Sequence, residues 1–221
     1  MKKKAGNMAD NYLEKKFDEF FGPNASHKKV IIKKNNQSID NLLLKNRSYR
    51  GYNNSYIVSE QELMDIVSVN TRIPSGMNQQ CLRFKLVTSS EAQKVLNNIK
   101  LGAALPELNL PFPGEEPNAF IIICSEKEEN RIVDIDLGIS MQSMLLKAVD
   151  MGLNGIIVCA INKEELKKEF NLPNEPLALL AIGKGIEKIQ LLSIKCGESQ
   201  KYYRKQGIHY VPKLQLSDII I

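Results

Sequence analysis

The sequence contains no tryptophan and only two histidines, His27 and His209. Neither histidine stands in a motif with a serine or cysteine nucleophile, so triad hydrolysis has no support. No P-loop and no GxGxxG turn occurs, which removes two common phosphate-cradling signatures. No carboxylate pair demands acid/base work. The four cysteines, Cys81, Cys124, Cys159 and Cys196, are scattered, with no CxxC pair and no histidine at ligand spacing. A metal site is therefore not expected. Cys124 and Cys159 lie in apolar runs and read as buried thiols, which suits a reducing compartment. The opening MKKK is followed by the polar AGNMADNYLEKK rather than an apolar stretch, so secretion is not indicated. Residues 1–7 read as an extension ahead of a second sensible start at Met8. No apolar run approaches the length that spans a bilayer. The expectation is a cytoplasmic protein with no membrane partner.

What is present suits one folded domain with an arm: 221 residues, 43% hydrophobic, 25% charged. The net charge of +5 is mild and owes much to Lys2, Lys3, Lys4, Lys28, Lys29, Lys33 and Lys34. No aromatic residues alternate with these lysines as single-strand binding requires, so a solvated tail is expected and no nucleic-acid partner. Residues 1–37 are read as the arm and residues 38–221 as the domain. Within the arm, Leu13, Phe17, Phe20 and Phe21 predict an amphipathic helix over residues 9–21, and Val30, Ile31 and Ile32 a short strand.

In the domain, Ser38 can cap a helix carrying Ile39, Leu42 and Leu43. Ser59 and Glu62 form a capping box for a helix with Leu63, Ile66 and Val67 on one face. Strands are predicted at 82–88, 119–124, 156–161 and 177–182, and helices at 91–99, 134–151 and 163–170. The proline-rich stretch 101–117 reads as a loop that contributes to a substrate wall. The helix at 134–151 has two apolar stripes, one through Met141, Met144 and Leu145, another through Ile135, Ile139 and Leu146. A helix apolar on two faces is deeply buried or lies at a subunit interface. Interleaved strands and helices give an α/β or α+β class around a mixed sheet.

Two segments propose a ligand. NRSYR, Asn46 to Arg50, offers two guanidinium groups around a hydroxyl, and arginine binds phosphate bidentately. Pro74-Ser75-Gly76 is a turn, followed by the amides of Asn78, Gln79 and Gln80, which match a ring edge alternating N–H and C=O. Flavin mononucleotide, FMN, answers both descriptions. A chain without catalytic groups of its own can take its chemistry from such a cofactor.

The order of these segments resembles the FMN-dependent nitroreductase family over residues 38–221. The match runs through RSxR (Arg47, Ser48, Arg50), PSxxNxQ (Pro74 to Gln80), the long apolar helix, a Gly152-Leu153-Asn154 turn and a basic tail, KYYRKQGIHYVPK. The resemblance implies an α+β fold with a central mixed, mainly antiparallel sheet flanked by helices, in an intertwined homodimer with FMN at the interface. It implies that Arg47 and Ser48 hold the phosphate, that Arg50 lies nearer the pyrimidine edge, and that Asn78 reaches that edge across the dimer. Pro74, Ser75 and Gly76 are implied to line the pocket, and Ile157, Cys159 and Ala160 one flavin face. Arg204 and Lys213 are implied as late phosphate ligands. Three departures stand out: Asn46 replaces the first arginine of RRSxR, Gln80-Cys81-Leu82 replaces QPW, and Asn154 replaces the last glycine of GLG.

The implied activity is hydride transfer from NADH or NADPH through FMN to a nitroaromatic, quinone or similar small acceptor. The alternatives are another flavin reaction on the same scaffold (reductive dehalogenation, ring dehydrogenation, flavin breakdown) or a flavin protein that does not turn over.

Overall fold

A central antiparallel sheet organises the molecule, with helices on both faces. In the computed structural model, residues 38–102 and 108–221 are described. The helix expected at 9–21 and the strand at 30–32 lie outside the described residues.

The sheet comprises β1 (Leu82–Val87), β2 (Ala119–Ser125), β3 (Asn154–Val158) and β4 (Glu175–Gly183), in the order β1-β2-β4-β3. Every pairing in it is antiparallel. Antiparallel sheets often leave one face in water, with alternating polarity. Here both faces are covered, so β2 reads AFIIICS and is buried throughout. Ile121 and Ile123 face one cluster with Leu63, Ile66, Met144 and Leu145. Phe120 and Ile122 face the other with Val95, Leu166 and Phe170. The two-residue period of the strand splits one apolar run between two cores.

The helices around the sheet are α1 (Ile39–Lys45), α2 (Glu60–Val67), α3 (Ala92–Leu96), α4 (Arg131–Asp150) and α5 (Lys163–Glu169). Ser38 Oγ accepts from the Asn41 amide and opens α1. Ser59 and Glu62 make the reciprocal box that opens α2. α4 starts earlier than position 134, because the Asn130 side chain accepts from the Ile132 and Val133 amides and moves the cap upstream. α3 is shorter than 91–99, ending at Leu96 with Asn97 as its cap. The buried face of α4 is the stripe through Met141, Met144 and Leu145, while Ile135 on the second stripe is 52% exposed.

Two expectations are corrected. The strand predicted at 156–161 ends at Val158, so Cys159 lies past it and is exposed rather than buried. The basic tail is a second sheet: β5 (Lys188–Ile194), β6 (Tyr203–Lys205) and β7 (Ile208–Leu214), in the order β5-β7-β6. β5 and β7 run parallel, and β6 and β7 antiparallel. Among the described residues no helix is long and apolar enough to cross a membrane.

Candidate functional site

The segment after α1 is tied to the main sheet. Ser48 forms a parallel bridge with Gly155, and the Tyr49 amide donates to the Gly155 carbonyl at 3.2 Å. Tyr52 bridges Gly185, and its buried hydroxyl donates to the Tyr49 carbonyl at 2.9 Å. These anchors hold Arg47, Ser48 and Arg50 at the outer edge of β3.

β7 comes to the same place from the other sheet. Its alternate residues His209, Val211 and Lys213 share one face, as strand geometry requires. Together with Asn46, Arg47, Ser48 and Arg50 they line a cavity of about 380 Å³. Arg204, on β6, stands opposite His209 in the ladder. Arg50 lies over the Tyr202 ring at 5.3 Å and donates to the Ser48 carbonyl at 3.1 Å. Arg47 donates to the Leu43 carbonyl.

The cluster is strongly cationic. Among the described residues a buried counter-charge is Glu187, whose carboxylate pairs with Arg204 and accepts from the Arg50 amide. Arg47, Arg50 and Arg204 each keep a buried Nε with no hydrogen-bond partner among the described residues. Burial lowers the Arg47 pKa, and burial then Arg50 lower that of Arg204. His209 is held down to about 4 by burial first, then by Arg50 and Arg204, so its imidazole is neutral at pH 7. Unsatisfied buried donors around a cavity suit an anionic acceptor.

The other expected site residues fall elsewhere. Pro74 and Ser75 line a second cavity of about 490 Å³ with Met64, Phe84 and Asp136. Gly76 donates its amide to Asp136 Oδ1 at 2.7 Å. Asn78 is exposed beside this turn, and its Oδ1 accepts from Gln80 Nε2 at 3.2 Å. Met77, Asn78 and Gln80 all have positive φ, near 50°, a strained region for residues other than glycine. Cys159 and Ala160 line a third cavity, of about 410 Å³, with Asn97, Asn98 and Lys100. Ile157 is exposed on β3, two residues beyond the Ser48 bridge.

Thus Arg47, Ser48, Arg50 and Lys213 meet at one cavity with Arg204 beside it, while the 74–78 turn stands apart within one chain. His209, Glu187, Tyr202 and Gln142 also belong to this cluster and are not expected from the sequence motifs. For Gln142 there was a usable signal, since it lies on the second stripe of α4, where its Oε1 accepts from Asn46 Nδ2 at 3.3 Å. Glu187 and His209 carried none, because their roles depend on pairing between distant strands. Among the described residues no group of His, Cys, Asp or Glu is arranged to hold a metal.

Solved structures of similar shape carry the same architecture. A nitroreductase family protein from Clostridium novyi NT aligns with 67% of this chain and 87% of its own, at 21% identity and TM-score 0.55. An FMN- and NADPH-dependent nitroreductase from Sphigopyxis sp. strain HMH aligns at 18% identity, TM-score 0.56, covering 67% of this chain and 89% of its own. A nitroreductase family protein from Streptococcus pneumoniae TIGR4 covers 69% and 93%, at 13% identity and TM-score 0.57. At these identities the likeness concerns the fold. No curated protein matches significantly. The family model described as "Nitroreductase family" matches residues 43–184, more than half of the chain and including both the RSxR segment and β3. The chain belongs to the nitroreductase family.

Proposed function

We propose that the protein is a flavin oxidoreductase that binds FMN with its phosphate in the arginine cavity. The observation that carries this is the pair of orphaned, buried guanidinium nitrogens of Arg47 and Arg50 in one cavity with Ser48 and Lys213, with Arg204 opposite His209 beside it. These groups fit a phosphomonoester: arginine forks match its oxygens, and the Ser48 hydroxyl adds a neutral donor. Arg50 shares the cavity with Arg47 and Ser48, which favours a phosphate role over the pyrimidine-edge role that the resemblance implies.

When bound, FMN supplies the redox chemistry, taking hydride from NADH or NADPH and passing it to a nitroaromatic, quinone or similar acceptor. The chain's own residues hold and orient it. The outer edge of β3, from the Ser48 bridge to Ile157, gives a flat ring an apolar, backbone-lined wall beside the phosphate cavity. Cys159 and Ala160 extend that wall past the strand. Residues 108–117 of the 101–117 stretch are proposed to contribute to the substrate side.

We further propose a homodimer with a shared site. The 74–78 turn does not reach the arginine cavity of its own chain, yet it is strained, braced by Asp136 and exposes Asn78. Strain concentrates at ligand clamps and active sites, where the surroundings must enforce it. A second copy brings such a turn to the ring edge. The exposed apolar residues of α1 and α4 supply the contact surface.

The test is the visible spectrum of protein supplied with FMN and desalted, before and after anaerobic NADH or NADPH. A retained flavin spectrum that bleaches supports the reductase and names the donor. A retained spectrum that does not bleach rejects hydride transfer from nicotinamide and leaves another flavin reaction, or a flavin carrier. Loss of all flavin on desalting rejects tight FMN binding.

A further inference from the structure

His209 has no task in the site as described, yet it is the most enclosed member of the arginine cavity. It is 4% exposed, and its Nδ1 is buried without a hydrogen-bond partner. β7 sets it on the same face as Lys213 and opposite Arg204 of β6. On its other side β5 places Ile189 in register with it, and the Tyr202 ring meets it edge-on with centroids 5.2 Å apart. The ring is therefore held among its strand neighbours, against Tyr202, where it lines the cavity. A fixed, buried ring nitrogen without a partner is a rarity that calls for a ligand.

The charges around it explain why that ligand is an anion. Arg50 from the segment after α1, Arg204 from β6 and Lys213 from β7 are the nearby cations, and Arg47 lines the same cavity. Glu187 is engaged by Arg204 and by the Arg50 amide, and Glu115 acts on Arg204. Tyr202 is the remaining titratable neighbour. Burial first, then the charges of Arg50 and Arg204, keep the imidazole uncharged. A dianion placed among them cancels the repulsion from Arg50 and Arg204 and favours imidazolium, which adds a donor to the phosphate.

We propose that His209 is a proton-coupled ligand of the cavity: uncharged while no anion is present, it takes up a solvent proton and donates a hydrogen bond when a phosphomonoester binds. This rests on the FMN proposal and adds a residue and a proton to it. The sign follows from linkage. The histidine's pKa is higher in the bound than in the free state, so binding takes up protons between those two values. The His209 contribution to affinity is present at the acid end of that window and is lost as pH rises through the bound-state pKa.

The experiment is calorimetric titration of flavin-free, full-length protein with FMN and, separately, riboflavin. Two buffers of different ionisation heat count the protons, from about pH 5 to pH 7.5, for the parent and His209→Gln. The phosphate releases protons of its own near its second pKa, about 6, so the quantity that decides is the difference between parent and variant. The expected result is greater proton uptake per FMN by the parent, and no difference with riboflavin. The affinity ratio of parent to variant for FMN rises as pH falls, by up to about tenfold per pH unit inside the window. Equal proton counts with FMN bound tightly by both proteins overturn the role of His209 and leave the FMN proposal standing. FMN bound no more tightly than riboflavin overturns both. If His209→Gln does not fold, the histidine proton resonances of the parent decide. A pKa for His209 that fails to rise on adding FMN overturns the inference.

Discussion

The Asp136 carboxylate accepts a 2.7 Å hydrogen bond from the Gly76 amide, joining the first half of α4 to the Pro-Ser-Gly turn. The bond is long-range, and Asp136 is 4% exposed. Its other oxygen, Oδ2, is buried with no partner among the described residues, and Asp136 lines the cavity with Met64, Pro74 and Phe84. One carboxylate thus braces the strained turn that presents Asn78.

Asp136→Ala should therefore loosen the turn before it loosens the core. Leaving a half-buried amide without its acceptor costs about 1–3 kcal/mol. The expected outcome is a lowered Tm together with weaker binding of both FMN and riboflavin, since the turn is proposed to meet the ring and not the phosphate. Parental affinity for both flavins in Asp136→Ala would remove the turn from the site.

The arginine cavity makes the opposite prediction. Arg47→Ala should weaken FMN by about 1.5–3 kcal/mol, the value of a hydrogen bond to a charged group, and leave riboflavin unchanged. Arg204→Ala should lose FMN and stability together, because it also strips the buried Glu187 of its ion-pair partner. Paired flavin titrations and thermal melts separate the two variants. A loss of riboflavin equal to that of FMN in Arg47→Ala contradicts a phosphate site.

Gly155 tests the junction between the two regions. A Cβ at this position would stand 2.7 Å from both the Ala181 carbonyl oxygen and Leu145 Cδ2. Gly155→Ala must push β3 from β4 or distort the core beneath it, at about 1–3 kcal/mol. Because Gly155 also bridges Ser48, the same change displaces the RSxR segment. Urea unfolding should show a lower midpoint, and FMN affinity should fall with it. An unchanged midpoint would mean that the strands yield without cost.

These examples show which parts of the structure were legible in the sequence. The caps at Ser38 and Ser59 act through bonds three residues away, so local pattern sufficed. The apolar run of β2 showed a strand covered on both faces. The second sheet was opaque for physical reasons. β5 and β7 pair in parallel across a separation that no local turn announces, and β7 mixes His209, Tyr210, Pro212 and Lys213 in seven residues. For the proposed site, RSxR points to a segment that lines the arginine cavity, PSxxNxQ to a turn that stands apart from it, whereas Glu187 and His209 come to Arg204 only through the pairing of the second sheet.

The exposed apolar residues of α1 and Ile135 of α4 lead to a prediction about assembly. Ile135 is 52% exposed, and on α1, which packs along α4, Ile39 and Leu44 are 58% and 61% exposed. Scattered apolar residues are ordinary on a surface, but several on two adjoining helices mark an interaction face. Ile135→Asp places a charge on that face without touching the core, so the chain should still fold with near-parental helical content. Sedimentation should then show a dimer for the parent and a shift to monomer for the variant. If the ring edge is contacted from the second copy, FMN affinity must fall in step with dissociation, and should recover at protein concentrations that restore the dimer. A parent that sediments as a monomer while binding FMN tightly would rule out the shared site. The 74–78 turn would then need another explanation for its strain.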